Sequence, residues 1–176
     1  YKRQGNLETA ITASSRVLAV QGQVVPATNV DVRLWAELEN GDRIEGESNI
    51  GHAPSPIVRL GCLPERPPAL PRALEAIASA DLILLGPGSL YTSLLPNLLV
   101  PELVSAIRRS RAPRLYICNL MTQPGETDGL DVRGHLRAIE AQLASLGIDQ
   151  RLFTAVLAQD DLEDSPLVEH YRSRGA

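Results

Sequence analysis

The sequence is short of lysine, aromatic residues and cysteine, and each shortage argues against a class of protein. Lys2 is the only lysine, so every other basic side chain that is charged at neutral pH is an arginine. An anion site elsewhere in the chain would therefore have to use main-chain N–H groups, helix N-termini or arginine side chains instead of a lysine-bearing phosphate loop. The two cysteines, Cys62 and Cys118, are far apart, which argues against a disulfide framework and against a cysteine-rich zinc site.

Long apolar runs and an excess of positive charge are also absent. No stretch reaches the roughly 18 apolar residues of a membrane span, and no signal-peptide pattern stands at the start. The net charge of −4 gives no support for a nucleic-acid partner, which needs a basic face. We therefore expect a cytoplasmic protein that contacts neither membrane nor nucleic acid. What is present is a composition that is 44% hydrophobic but only 3% aromatic, which indicates a packed core of Leu, Ile, Val and Ala.

The first third of the chain predicts a helix followed by a β-hairpin. Residues 7–20 carry an amphipathic helical pattern with Asn6 as the N-cap. Residues 30–38 alternate between apolar and polar side chains, which is typical of a half-buried strand. Asn40-Gly41 follows, and this pair predicts a two-residue type I′ turn because both of its positions need a positive φ.

The rest of the chain alternates strands and helices. The strongest strand, residues 81–88, is nearly all aliphatic, which is typical of a parallel strand covered on both faces. The alternation predicts right-handed βαβ units, a parallel sheet and an α/β fold. The proline-rich segment 64–71 separates a helix-plus-hairpin part (1–63) from a βαβ part (71–160). The remaining predicted elements are a strand at 56–64, helices at 71–80, 101–110 and 131–145, and strands at 114–120 and 151–159.

Two polar loops follow the strands of the βαβ part, where ligands bind in open α/β sheets. The first reads Gly-Pro-Gly-Ser-Leu-Tyr-Thr-Ser from residue 86, and the second runs from Asn119 to Asp128. If the two strands are neighbours, both loops face one crevice, where glycine would let the backbone approach an anion closely. The alternative is a tight Gly-Pro-Gly corner with capping hydroxyls. The candidate ligand-binding residues are Gly86, Pro87, Gly88, Ser89, Tyr91, Thr92, Asn97, Asn119, Thr122, Gln123, Gly125, Glu126 and Thr127.

Other reactive side chains give weaker signals. Glu126 and Asp128 could act as acid, base or Mg²⁺ ligands, or could be solvated loop carboxylates. The three histidines lack metal-ligand spacing, so no metal site is predicted from them, and no catalytic residue can be assigned. Cys118, inside an apolar strand, is expected to be an inert core thiol. The histidines are His52, His135 and His170.

The segments "GPGSLYTSLLPNLLV" and "NLMTQPGETDGLDVRGHL" resemble the signature segments of the gluconeogenesis-factor family, within the 2-phospho-L-lactate transferase-like superfamily. The resemblance extends over "NGDRIEGESNI" and "LPERPPALPRALEAIASAD" and covers nearly the whole chain. It implies a Rossmann-like three-layer fold, a cytoplasmic location and binding of a nucleotide-sugar such as UDP-N-acetylglucosamine. It also implies a regulatory role in cell shape and in growth on gluconeogenic carbon sources.

The transferases of the superfamily supply the alternative function. They move phospholactate from a nucleotide-activated donor to a deazaflavin with the help of Mg²⁺. Their first loop is similar to Gly-Pro-Ser-Asn-Pro, whereas this chain reads Gly-Pro-Gly-Ser-Leu, which resembles the regulators. The resemblance therefore favours a non-catalytic binding protein, with a phosphoryl-group transferase as the alternative.

The resemblance also implies that the chain is only a portion of a longer one. Family members start with a glycine-rich loop and an Asp-rich segment, and neither is present here. Residues 1–176 are thus expected to be the C-terminal portion of a single α/β domain. The N-terminal half of the same protein is then its expected partner, and that half should supply much of the nucleotide site and the means of holding any Mg²⁺. A homodimer formed through an exposed sheet edge is a further interpretation.

Overall fold

The computed structural model describes residues 7–19, 21–148, 151–160 and 173, and within them the chain forms two three-stranded sheets with helices between them. The α/β class, the parallel sheet and the N-terminal hairpin are confirmed. Asn6, Val20 and His170 lie outside the described residues.

The strands are β1 (Arg33–Leu38), β2 (Arg43–Glu45), β3 (Ile57–Leu63), β4 (Ile83–Leu85), β5 (Arg114–Ile117) and β6 (Ala155–Leu157). The helices are α1 (Leu7–Val17), α2 (Glu47–Ile50), α3 (Pro71–Ala78), α4 (Leu95–Leu98), α5 (Pro101–Arg109) and α6 (Val132–Ser145), and a π-helical turn (Leu90–Leu94) leads directly into α4.

The antiparallel sheet, ordered β2-β1-β3, contains the predicted hairpin, but its turn is not type I′. The Leu38 N–H donates to the Asp42 carbonyl at 2.9 Å, and the Gly41 N–H donates to the Leu38 carbonyl at 2.9 Å, so the loop has three residues. Only Gly41 has a positive φ, +88°. The Asn40 side chain instead accepts a bond from the Asp42 N–H at 3.0 Å. The prediction of a two-residue turn was wrong because a three-residue loop needs one left-handed residue and leaves Asn40 free to bond locally.

Helix α6 is joined to the antiparallel sheet by the side chain of Gln142, which is only 3% exposed. Its Oε1 accepts from the Leu60 N–H at 2.9 Å, and its Nε2 donates to the Leu60 carbonyl at 3.0 Å. The carboxamide thus takes the place of a neighbouring strand at this point on the outer edge of β3. Backbone groups that are buried without a partner are costly, so this contact satisfies a real need of the sheet.

Replacing Gln142 with Leu is expected to lower the free energy of unfolding by about 2 kcal/mol. The reason is that the buried N–H and C=O of Leu60 would lose their hydrogen-bond partners in apolar surroundings. Urea unfolding of the variant measures this loss. Glu140→Leu is the matched control: it places the same side chain on an exposed position of α6 and should change stability by less than about 0.5 kcal/mol. Equal effects of the two substitutions would contradict this role of Gln142.

The parallel sheet, ordered β4-β5-β6, has one covered face and one bare face among the described residues. Tyr116 in β5 is fully buried on the covered face. On the opposite face, Leu84 pairs in register with Leu115 and is 50% exposed. The expectation that this strand is covered on both faces therefore does not hold for the part of the chain that the structure describes.

Within the described ranges, no single helix is long and apolar enough to cross a membrane. The segments Leu90–Leu98 and Pro101–Arg109 reach that length only as a pair, which is bent by 75°. Most of their apolar side chains, including Leu95 and Val104, lie in the hydrophobic core.

Candidate functional site

The first candidate loop is fixed by a close approach of two backbones at the ends of β4 and β5. Gly86 follows β4 with φ +97° and is joined to Pro87 by a cis peptide bond. A Cβ at Gly86 would lie 2.5 Å from the carbonyl oxygen of Ile117, the last residue of β5. Only glycine can combine this φ with this contact. The backbone at the start of the first loop therefore packs directly against the end of β5.

The second loop lies directly beside the first, as the sequence predicts for neighbouring parallel strands. Asn119 Oδ1 accepts from the Gly88 N–H at 3.0 Å, and Asn119 Nδ2 donates to the Gly88 carbonyl at 2.9 Å. Ser89 Oγ donates to Gln123 Oε1 at 2.7 Å. The loops are therefore connected by side chains, and the main-chain N–H of Gly88 is already bonded within the protein.

Glu126 is the centre of this network and is only 6% exposed. Its Oε2 accepts from the Tyr91 N–H at 3.2 Å, and its Oε1 accepts from Thr92 Oγ1 at 2.7 Å. Gln123 Nε2 lies 3.4 Å from the same Oε1. The carboxylate therefore bonds to the first turn of the helical segment that follows the first loop, where a negative charge is stabilised. Glu126 is therefore not a solvated loop carboxylate, which was the alternative interpretation from the sequence.

Tyr91 points from the first loop into the core instead of the crevice. It is buried, and its hydroxyl donates to the Ile57 carbonyl at 3.1 Å. Burial raises the pKa of this hydroxyl, and the negative charge of Glu126 raises it further. The hydroxyl thus stays protonated at neutral pH and acts as a donor to β3.

The second loop is shaped by its own side chains. Thr127 is buried, and its Oγ1 accepts from the Gln123 N–H at 2.8 Å. The exposed Asp128 accepts from the Gly125 N–H at 2.7 Å. Gly125, with φ +82°, lies against the end of α2, where a Cβ would be 3.1 Å from the Cα of His52. Asp128 therefore closes a turn.

A cavity of about 700 Å³ opens beside these loops at the carboxyl ends of the parallel strands. Its walls are mostly apolar and include Pro87, Leu120, Met121 and Leu157, with the polar residues Asn119 and Gln159 among them. We refer to it as the strand-end crevice. The sequence indicated the residues that line the crevice after β4 and β5. It missed residues 157–159, although the predicted strand at 151–159 ends at that point.

Asn97 and Thr122 are outside the hydrogen bonds that connect the two loops. Asn97 Nδ2 donates to the Ser93 carbonyl at 2.8 Å, and Asn97 lines a separate groove with Arg72 and Leu103. Thr122 is half-buried in the second loop. The predicted ligand contacts of the whole set stay predictions. The hydrogen bonds between the loops form two groups: one pairs Gly88 with Asn119, and the other joins Ser89, Tyr91, Thr92, Gln123 and Glu126.

The described ranges contain no cluster of three or more His, Cys, Asp and Glu side chains that could hold a metal ion. Glu126 is the only acidic residue of the network, and its two oxygens already accept hydrogen bonds. These residues alone do not make a Mg²⁺ site, so an ion bound here would need ligands from elsewhere in a longer chain.

The whole chain, residues 1–176, matches the family model described as 2-phospho-L-lactate transferase CofD. The chain belongs to the CofD family. Among curated proteins of known name, this CofD-family chain is 49% identical over 135 residues to the gluconeogenesis factor of Halalkalibacterium halodurans, a match covering 77% of this chain and 42% of that protein. It is 42% identical over 160 residues to the gluconeogenesis factor of Bacillus subtilis, covering 91% of this chain and 49% of that protein.

A solved structure shows the same fold. A crystal structure of a UPF0052 family protein from Bacillus halodurans matches with a TM-score of 0.86 and 41% identity, over 99% of this chain and 55% of that chain. The CofD-family chain thus spans between about a third and about half the length of the relatives it matches. Its likeness to gluconeogenesis factors confirms the family that the two loop segments indicated.

Proposed function

We propose that this CofD-family chain is part of a cytoplasmic regulatory protein that binds a nucleotide-sugar of the UDP-N-acetylglucosamine type and acts in cell shape during gluconeogenic growth. The observation that carries the proposal is the joining of the two polar loops at the carboxyl ends of β4 and β5, beside the strand-end crevice. The crevice has the size and the mostly apolar walls of a small-molecule site with a few polar groups for orientation.

The arrangement favours binding over catalysis. Glu126, the one buried carboxylate in the part of the chain that the structure describes, bonds to Thr92 and to the Tyr91 N–H, so it is occupied in holding the loops. A general base must come within hydrogen-bond distance of the proton that it removes from the substrate. The two oxygens of Glu126 accept bonds from within the protein instead.

The second candidate function is transfer of a phospholactate-type group, and the description of the matching family model favours it. It requires Mg²⁺ ligands that the described residues do not cluster. Turnover of a nucleotide-activated phospholactate in the presence of Mg²⁺ by a family-length protein carrying this chain would replace the binding proposal.

Calorimetric titration of UDP-N-acetylglucosamine into the family-length protein tests the binding proposal. We expect Gly88→Val to weaken binding at least about tenfold, because its branched side chain would crowd Leu94 and change the path of the loop beside the crevice. A Cβ at Gly88 lies 3.3 Å from the flexible Leu94 side chain, so the fold should tolerate the change better than a clash with backbone.

Ala76→Val is the matched control, since it introduces the same side chain at an exposed position of α3 that does not line the strand-end crevice. Its affinity should equal that of the unmodified protein. Equal affinities of Gly88→Val and the unmodified protein would remove the first loop from the site, and no heat of binding in any of them would reject a nucleotide-sugar ligand.

A further inference from the structure

We propose that Asn40-Gly41, in the loop of the hairpin, is a site of spontaneous chemical modification at which Asn40 loses its side-chain amide through a cyclic imide. Both residues are exposed. Glycine has no side chain, so its backbone nitrogen is open to the carboxamide of the residue before it. Each of the other asparagines in the sequence is followed by leucine, valine or isoleucine, whose side chains obstruct that approach. The sequence therefore offers this reaction one favourable position.

The reaction needs no reactant other than water. The backbone nitrogen of Gly41 attacks Cγ of Asn40, so that a new N–Cγ bond forms and the Cγ–Nδ2 bond breaks. Ammonia leaves and carries away the proton of the Gly41 nitrogen. One water molecule then opens the imide ring, giving aspartate or, when it attacks the main-chain carbonyl carbon, isoaspartate. Nothing is oxidised or reduced, and a neutral carboxamide is replaced by a carboxylate.

The structure shows what restrains the reaction in the folded protein. The Gly41 N–H donates to the Leu38 carbonyl at 2.9 Å. Asn40 Nδ2 donates to Asp42 Oδ2 at 2.8 Å, and Asn40 Oδ1 accepts from the Asp42 N–H at 3.0 Å. The attacking nitrogen and the carboxamide are thus both held until the loop opens. Opening costs little free energy in an exposed loop, and a Cβ at Gly41 would meet no atom within 4 Å.

The product does not fit the loop as the carboxamide does. The donor Nδ2 would be replaced by a charged oxygen facing the Asp42 carboxylate, and like charges at that distance repel. Isoaspartate would also add a backbone carbon between Leu38 and Asp42, whose backbone bond closes the loop. Since β2 has only three residues, we expect the modification to loosen β2 from β1. The site lies in the antiparallel sheet, so it does not depend on which ligand the strand-end crevice takes.

Peptide mass spectrometry of the family-length protein tests the site. The protein is incubated at neutral pH in water enriched in the heavy oxygen isotope and is then digested in ordinary water, so that conversion during digestion stays unlabelled. We expect labelled product to accumulate at Asn40 at least about tenfold faster than at Asn97 or Asn119, because leucine follows both of these. Equal rates at the three asparagines would overturn the proposal.

Two variants of Asp42 test the restraint. Asp42→Ala removes the carboxylate that holds Asn40 Nδ2, and it should speed the conversion about fivefold, the effect of one lost hydrogen bond on the opening of the loop. Asp42→Asn is the matched control, since it keeps an acceptor oxygen at the same place, and its rate should stay close to that of the unmodified protein. A rate that Asp42→Ala leaves unchanged would overturn the restraint by the loop.

Discussion

Gly86→Ala is expected to lower the free energy of unfolding by about 3–5 kcal/mol, one of the two largest effects of any single substitution considered for this chain. Two penalties add at this position. An alanine at φ +97° is strained, and its Cβ would lie 2.5 Å from the Ile117 carbonyl oxygen. That contact is with backbone, so it can be relieved only by moving the end of β4 away from the end of β5. Urea unfolding monitored by circular dichroism measures the loss.

Gly88→Ala, two residues on, is the matched control. Its φ lies outside the left-handed region, and the nearest atom to an added Cβ is a terminal carbon of Leu94 at 3.3 Å, which can move. We expect a cost below about 1 kcal/mol. If the two glycine substitutions destabilise the protein equally, the close approach at Gly86 does not determine the shape of the first loop.

The contrast between these glycines shows how far the sequence could predict the site. The string Gly-Pro-Gly indicated a loop that needs glycine, but it could not tell which glycine carries the constraint. That distinction depends on Ile117, which is 31 positions further along the chain than Gly86 and approaches it only when β4 and β5 pair. Periodicity is local and therefore predicts elements, whereas contacts between elements need the folded chain.

The same reasoning explains the other differences. The alternation of residues 30–38 predicted β1, and the aliphatic run at 81–88 predicted β4. The turn at Asn40-Gly41 was assigned by the dipeptide alone, but the closing bond between Leu38 and Asp42 selected a three-residue loop. An aliphatic strand is equally consistent with a cover from its own chain or from elsewhere, so the sequence could not show that one face of β4 is bare.

In the sequence, the residues that connect the two loops could be recognised only as polar side chains, without their hydrogen-bond partners. Asn119, Gln123 and Glu126 could each have faced a ligand, and in the structure each bonds to the first loop or to the helical segment that follows it. A polar side chain at a strand end can hold neighbouring loops together or line the crevice beside them, and a sequence pattern does not separate these two roles; of the three, only Asn119 also lines the strand-end crevice. The hydrogen-bond partners decide between the two.

Glu126→Leu is the second substitution with a large expected effect, again about 3–5 kcal/mol of unfolding free energy. The change removes the acceptor of the Tyr91 N–H and of the Thr92 hydroxyl, and it leaves the N–H of the buried Tyr91 without its partner; Thr92 is only half-buried. It also removes a negative charge from the first turn of the Leu90–Leu98 segment, where such a charge is favourable. Chemical denaturation measures the total cost.

Two further variants separate the causes. Glu126→Gln keeps the shape and one acceptor oxygen but not the charge, so its cost should be intermediate, about 1–3 kcal/mol. Asp128→Leu removes a carboxylate from the same loop at an exposed position where it accepts one bond from the Gly125 N–H, and it should cost about 1 kcal/mol. This order, with Leu at position 126 worst and Leu at position 128 mildest, follows from burial and from the number of bonds lost. Were Glu126→Leu no worse than Asp128→Leu, Glu126 would not be the group that holds the two loops together, and its carboxylate would again be a candidate for contact with a ligand or with Mg²⁺.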